Sequence, residues 1–148
     1  IYTIRQANKD DQGIIRKLVI EGKINPTRLK WKRFVVAETE NGIVIGCGQI
    51  KPHSDGTIEL ASIAVTKSWR NKSIAKDIIK HLLIGFEKKP IYLVCRSNLK
   101  SFYLPFGFVP LTDEQLPKYF QKLQKIAGFI KAVSNMDDSP LFMGRNFE

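Results

Sequence analysis

The tract Ser68-Trp69-Arg70-Asn71-Lys72-Ser73-Ile74-Ala75 holds the residue types and spacing best suited to chemistry in this chain. It lies between a strand-like run, Thr57 to Val65, and a helix-like run, Ile74 to Phe86. The N–H groups of a helix's first turn have no partner within the helix, and the macrodipole places partial positive charge there. Arg70 and Lys72 add full charges at the same spot. A strand that breaks into a basic turn and then opens a helix is an anion site, and it reads as a pyrophosphate cradle. The other reactive residue types read as bland. His53 sits in a turn and His81 beside an apolar helix stripe, neither with a partner at nucleophile or metal spacing. Cys47 and Cys95 each lie inside a strand-like run with no second Cys or His at metal spacing. They read as buried free thiols, and no metal is expected.

The elements that must position the tract follow from periodicity. Tyr2 to Arg5 alternates as a first strand, and Asn8 to Asp11 is a helix-start signal. Ile14, Ile15, Leu18 and Val19 repeat at helical spacing up to Gly22. Pro26 and Thr27 are expected to open a second short helix carrying Leu29, Trp31 and Lys32. Phe34–Ala37 and Ile43–Ile50 form a hairpin about the turn Glu40-Asn41-Gly42. His53-Ser54-Asp55-Gly56 turns the chain into the strand from Thr57. The helix from Ile74 to Phe86 shows one stripe, Ile74, Ile78, Ile79, Leu82, Leu83 and Phe86, that must pack on a sheet. Ile91–Cys95 is a buried strand, parallel to the run 57–65 across that helix. Asn98 to Phe102 is a short helix, and Gly107-Phe108-Val109 leads into a strand. Thr112 to Gln115 matches a capping box ahead of a helix with apolar positions Leu116, Tyr119, Phe120, Leu123, Ile126, Ala127 and Ile130. Leu141–Met143 is a last strand. The string is β-α-α-β-β-β-α-β-α-β-α-β, a mixed α/β arrangement with helices on a sheet.

The chain has 148 residues, 43% hydrophobic and 26% charged, which fits one soluble globular domain spanning 1–148. No apolar run reaches the ~20 residues of a membrane span. No basic-then-apolar leader opens the sequence, and the expected compartment is the cytoplasm. The formal net charge is +10, which favours an anionic partner. The charge is spread over faces rather than held in a tail. Lys118, Lys122 and Lys125 line the outer side of the last helix, which reads as an amphipathic helix with solvated lysines.

At this point the chain resembles the GNAT superfamily of acyl-CoA-dependent N-acetyltransferases. The family's phosphate motif, Gln/Arg-x-x-Gly-x-Gly/Ala, is similar to Arg70-Asn71-Lys72-Ser73-Ile74-Ala75, with Ser73 in place of the first glycine. Phe102-Tyr103-Leu104-Pro105-Phe106-Gly107-Phe108 looks like the family's aromatic-Tyr-x-x-x-Gly-Phe segment. Thr57 to Val65 resembles the strand ahead of the phosphate loop. The resemblance implies a GNAT-type fold, a mostly antiparallel mixed sheet of six to seven strands with helices on both faces. It implies acetyl-CoA as donor and CoA as product. Arg70, Asn71, Lys72, Ser73, Ile74 and Ala75 would meet the pyrophosphate. Ile63, Ala64 and Val65 would offer backbone groups to the pantetheine arm, which adds like a short strand. Arg96, where many members carry Asn, and Asn98 are expected beside the cofactor.

Forming an amide from a thioester needs a deprotonated amine, a polarised carbonyl and a proton for the leaving thiolate. By the resemblance Glu59 is the general base, since several members carry a catalytic Glu there. The alternative is a strand Glu that faces solvent or pairs with a nearby Lys. Tyr103 would be the general acid at the sulfur; the alternative is an aromatic packed on the sheet with its hydroxyl in water. Trp31 could line the amine pocket, and Trp69 is a packing residue. A nucleophilic Cys47 is disfavoured, since the family transfers directly. The implied reaction is direct attack of a primary amine on acetyl-CoA. The amine could be a small arylalkylamine, a polyamine, an amino acid, a protein lysine or an N-terminus. A strongly cationic acceptor would need an acidic pocket built from Asp55, Glu38, Glu40, Asp113 or Glu114. Two rival readings are a non-catalytic CoA sensor and a basic-surface nucleic-acid binder; the second lacks a recognisable reading motif. A monomer or a homodimer is expected.

Overall fold

In a computed structural model of the chain, residues 1–134 and 139–147 are described, with 127–134 as backbone alone. Seven strands are ordered β1-β2-β3-β4-β5-β7-β6 in one mixed sheet. They are β1 (Tyr2–Gln6), β2 (Phe34–Thr39), β3 (Val44–Pro52), β4 (Ile58–Val65), β5 (Ile91–Arg96), β6 (Val109–Pro110) and β7 (Pro140–Arg145). The helices are α1 (Gln12–Glu21), α2 (Ile74–Leu82), α3 (Lys100–Tyr103) and α4 (Lys118–Ser134). The chain divides into two compact units, Ile1–Lys51 with Leu60–Gly85, and Pro52–Glu59 with Phe86–Glu148. Among the described residues no helix is long and apolar enough to cross a membrane.

In the first unit β1 pairs antiparallel with β2, and β2 with β3, with a register shift between Ala37 and Glu38. The helix-start signal at Asn8 to Asp11 is a capping box between Asn8 and Asp11 ahead of α1. Ile15, Leu18 and Val19 of α1 pack with Phe34, Val36, Cys47 and Ala64 into one core cluster. The α2 stripe is buried as expected at Ile74, Ile78, Ile79 and Leu82. Its seat on β3 depends on missing side chains. A Cβ at Gly48 would lie 2.6 Å from Ile63 Cδ1 and 2.8 Å from Ile78 Cγ2. Only a glycine lets a helix come that close to a strand.

In the second unit β5 pairs antiparallel with β7, and β6 with β7. Glu59 of β4 pairs with Tyr92 of β5 in parallel, as the crossover argument required. Leu116, Phe120 and Phe142 form a second core cluster, with Tyr92, Val94, Leu111, Tyr119 and Leu123 packed against it.

Three expectations are corrected. Residues 26–30 form no helix; Arg28 adopts φ 57, and only a 3₁₀ turn, Trp31–Arg33, follows. The Gln12 side chain takes over the backbone bonding there, donating to Leu29 O and accepting from Trp31 N at 3.0 Å. The helix from Ile74 stops at Leu82 rather than Phe86, with Gly85 left-handed at φ 89 just beyond. The Thr112 capping box closes only a 3₁₀ turn, Asp113–Gln115; Leu116 is extended ahead of Pro117, and α4 starts at Lys118. The side chains of Ala127 and Ile130, expected on its apolar face, lie outside the described residues.

Candidate active site

Each unit holds one part of the chemistry the sequence suggested. In the first unit β4 runs into the basic loop through an irregularity at Ser62, which sits at φ 61. Its hydroxyl accepts from Gln49 Nε2 at 2.8 Å, and its carbonyl accepts from the Cys47 thiol at 3.6 Å. Beyond it Ala64 joins the α1 core while Ile63 lies over Gly48. The Val65 carbonyl accepts from Arg70 Nε at 3.0 Å, and Thr66 N donates to Ile45 O at 2.8 Å. Of the groups expected to meet a pantetheine arm, the Val65 carbonyl is therefore bonded within the chain. The Arg70 guanidinium is tied at Nε and folds the loop back on its strand.

The loop itself is left-handed twice, at Asn71 (φ 64) and Ser73 (φ 66). Ser73 is the N-cap of α2, and its carbonyl accepts from Asp77 N at 3.0 Å. Its side chain makes no capping bond. Among the described residues the first-turn N–H groups are thus left without a capping side chain, at the positive end of a helix whose apolar face is anchored. Arg70, Asn71, Lys72 and Ser73 are exposed around them, and Ala75 is half-buried. Ile74 is 1% exposed, so only its backbone can face an anion. The positive φ at Ser73 matches a position where the family carries glycine, which adopts that conformation without a Cβ clash. The residues present fit a pyrophosphate: backbone donors and a helix dipole meet an open turn whose sequence carries two exposed cations, Arg70 and Lys72. Farther along α2, Asp77 accepts from the Tyr2 hydroxyl, and that bond pushes the phenol up to about 12.

In the second unit the carboxylate of Glu59 is buried, 6% exposed, rather than facing solvent. Its partner is not a lysine. His53 Nε2 lies 2.7 Å from Oε1. The imidazole stacks on Tyr119, centroids 3.5 Å apart and planes 14° off parallel. Asp55 closes the turn, accepting from Thr57 N at 2.9 Å and from Tyr119 N at 2.8 Å. Among the described residues Glu59 Oε2 accepts no hydrogen bond. The sequence alone reads His53 as a bland turn residue with no partner, whereas the structure pairs it with Glu59. The signal was present: a tight turn in which His53 N donates to Thr57 O puts residue 59 on the same face, diagonal to 53.

Tyr103 of α3 is buried, its ring edge-on to Phe102 and Phe108. Burial, and secondarily the Cys95 thiol, push its hydroxyl above the usual tyrosine range, so it stays protonated and keeps a proton to donate. Arg96 caps the 3₁₀ turn Ser97–Leu99 and is exposed, as is Asn98. Burial pushes the Cys47 thiol up to about 12 and that of Cys95 up to about 11. Neither is a thiolate near neutral pH, which agrees with direct transfer rather than a thiol nucleophile. Of the acidic groups considered for a pocket, Glu38 is bound by Arg5 at 3.1 Å and Asp55 is held in its turn.

Comparison with known proteins bears on the family and the fold. A family model described as an acetyltransferase (GNAT) domain matches residues 30–110. Among curated proteins no match was found. N-acetylglutamate synthase from Neisseria gonorrhoeae, complexed with coenzyme A and N-acetyl-glutamate, superposes with a TM-score of 0.72 at 19% identity. The match covers 100% of this chain and 35% of that one, so the chain spans about a third of its length. Rv2747 from Mycobacterium tuberculosis, in complex with CoA, gives 0.72 at 21% identity over 97% of this chain and 98% of that one. A GNAT-family acetyltransferase from Staphylococcus aureus Mu50 gives 0.69 at 16% identity over the whole of both chains. At these identities the likeness is one of fold.

Proposed function

The chain belongs to the GNAT acetyltransferase family, and from that premise we propose that it moves an acetyl group from acetyl-CoA to a primary amine by direct attack. The observation that carries this reading is the uncapped N-terminus of α2 behind a left-handed Ser73, with Arg70 and Lys72 exposed beside it. Arg70, Asn71, Lys72, Ser73 and the backbone at Ile74 and Ala75 would hold the pyrophosphate. Ile63 and Ala64 supply backbone on the same strand that leads into the cradle. When bound, acetyl-CoA supplies an acyl group activated by a thioester.

Amines near pKa ~10 are mostly protonated at neutral pH. Glu59 takes a proton from the ammonium, leaving the nitrogen lone pair free to attack the carbonyl carbon. The C–N bond forms, the C–S bond breaks, and the second proton lost by the nitrogen ends on the departing sulfur, giving the thiol. Tyr103 donates toward the departing sulfur. Overall one amide, one thiol and one released proton result. A buried carboxylate with an open oxygen supports turnover over a sensor that only binds.

Thermal shift with acetyl-CoA at fixed ionic strength tests the cradle. Ligand at about 100 times its Kd should add about 2.7 kcal/mol of stability. Arg70→Ala and Lys72→Ala should each reduce that gain, as should raising salt from about 0.1 M to about 1 M, where the screening length falls from about 10 Å to about 3 Å. No stabilisation at millimolar acetyl-CoA sinks the donor assignment. Glu59→Gln should then lower turnover about 100- to 10,000-fold while leaving acetyl-CoA binding intact.

A further inference from the structure

Around Glu59 the second unit gathers side chains from two segments, the turn and strand start at 53–59 and the first turn of α4. The pair at its centre is nearly dry: the His53 and Glu59 side chains are 3% and 8% exposed. At 2.7 Å a bare imidazole nitrogen and a carboxylate oxygen would repel through their lone pairs, so a proton lies between them. With that proton on Nε2, Glu59 is an acceptor bound at Oε1 and open at Oε2. Burying such a pair is a poor way to gain stability, since apolar residues of similar volume serve as well or better.

The imidazole is itself held on several sides. Tyr119 stacks on its face. Tyr119 is fixed in turn by its N–H, which donates to Asp55 Oδ2. Asp55 Oδ1 accepts from Thr57 N and closes the turn that carries His53. Burial alone would raise the Asp55 carboxyl, but the Thr57 and Tyr119 N–H groups and His53 more than offset this and hold it below the usual carboxylate range. Asp55 therefore remains an anion able to keep both bonds across the neutral range. The same four-residue turn thus orients the base's partner and docks the start of the helix that packs on it.

We propose that His53 is the positioning residue of the base: it donates Nε2–H to Glu59 Oε1 and so holds the carboxylate with Oε2 as the oxygen that takes the acceptor's proton. Tyr119 acts through His53 by stacking, and Asp55 acts through Tyr119. This rests on the reading of Glu59 as the base. In the step itself an N–H bond of the ammonium breaks and an O–H bond forms at Oε2. The electron pair stays on nitrogen, and the Nε2–H···Oε1 bond persists throughout. A carboxylate free to rotate would spend much of its time with neither oxygen aligned; one fixed oxygen leaves the other in a single place.

Two measurements test this. The first needs no acceptor. In ¹⁵N-labelled protein, His53 should carry a proton on Nε2 that resonates far downfield and exchanges slowly, and Glu59→Gln should move it upfield. A His53 ring whose Nε2 carries no proton overturns the proposal. The second is thiol release from acetyl-CoA, with water and with a panel of primary amines as acceptors. His53→Gln places an amide N–H where Nε2–H sits, whereas His53→Ala leaves no donor. His53→Ala should lower kcat about 10- to 100-fold with the KM for acetyl-CoA unchanged. His53→Gln should restore most of that loss, and Tyr119→Leu should fall between. Equal turnover in wild type and His53→Ala, or a loss in His53→Gln as deep as in His53→Ala, overturns the positioning role. Wild-type turnover in Glu59→Gln instead removes the base reading, whatever the His53 variants do. Melting curves with and without acetyl-CoA show that each variant is folded and binds its donor.

Discussion

Tyr103 shows how burial narrows what one side chain can do. Its hydroxyl is held above the usual tyrosine range, first by burial and then by Cys95. Full proton transfer from such a group to a thiolate, whose proton affinity is near that of a cysteine with pKa ~8.5, runs uphill. Tyr103 is therefore better suited to donate a hydrogen bond to charge developing on sulfur than to surrender its proton. On that basis Tyr103→Phe should lower kcat about 10- to 100-fold rather than abolish it, less than a full oxyanion-hole donor. Burst and steady-state thiol release would check this, and wild-type turnover in the variant would take Tyr103 out of the chemistry. The segment that carries Tyr103 was legible from its aromatic-Tyr and Gly-Phe residues. Its burial was not, because that depends on Phe108, just ahead of β6, brought back against the ring.

Among elements, the seat of α2 matters most, since its N-terminus is the proposed cradle. The apolar stripe of α2 could be read from a period of 3.6 residues. The surface it needs could not, because it depends on Gly46 and Gly48 of β3, which have no side chain. A methyl group at Gly48 would meet Ile63, Ile78 and Leu82 within 3.0 Å. Gly48→Ala should cost about 1–3 kcal/mol through overpacking. Because the same displacement lifts the α2 N-terminus, affinity for acetyl-CoA should fall in parallel. Urea midpoints and an acetyl-CoA titration of the one variant report both effects; a stable variant with weakened binding would separate the cradle from the packing. The misjudged helix at 26–32 has the opposite origin. Local signals at Pro26 and Thr27 favoured a helix start, but the Gln12 side chain from α1 satisfies the backbone at Leu29 and Trp31 in an irregular path.

For the molecule as a whole, the +10 charge hides carboxylates that are individually committed. Arg5 binds Asp11 at 2.8 Å and Glu38 at 3.1 Å, and that bond to Arg5 is the main reason the Asp11 carboxyl sits below its usual range. Asp55 is likewise lowered. A carboxyl depressed in the folded state contributes stability that is present above its unfolded value, near pH ~3.9, and lost as pH falls through its folded value. These two groups should therefore leave the melting temperature level between about pH 7 and pH 5 and steepen its fall below about pH 4. Asp11→Asn should start lower and fall less steeply in that acid range. An equally steep acid fall in the variant would mean that Asp11 does not drive it.

The amino-acid sequence by itself determined most element types, their order, the parallel pairing of the strands flanking α2 and the basic strand–turn–helix tract at 70–75. These follow from periodicities of two and 3.6 and from turn residues, all of which act over a few neighbours along the chain. The tertiary structure alone decided that Glu59 is buried, that its partner is His53 rather than a lysine, and that Tyr119 of α4 covers that partner. It also decided that Ser73 stands in the left-handed conformation a glycine would take. The physical reason is one of range. Propensity and pattern are sums over local contacts, whereas the pairing of a buried charge depends on which distant side chain reaches it once water is excluded.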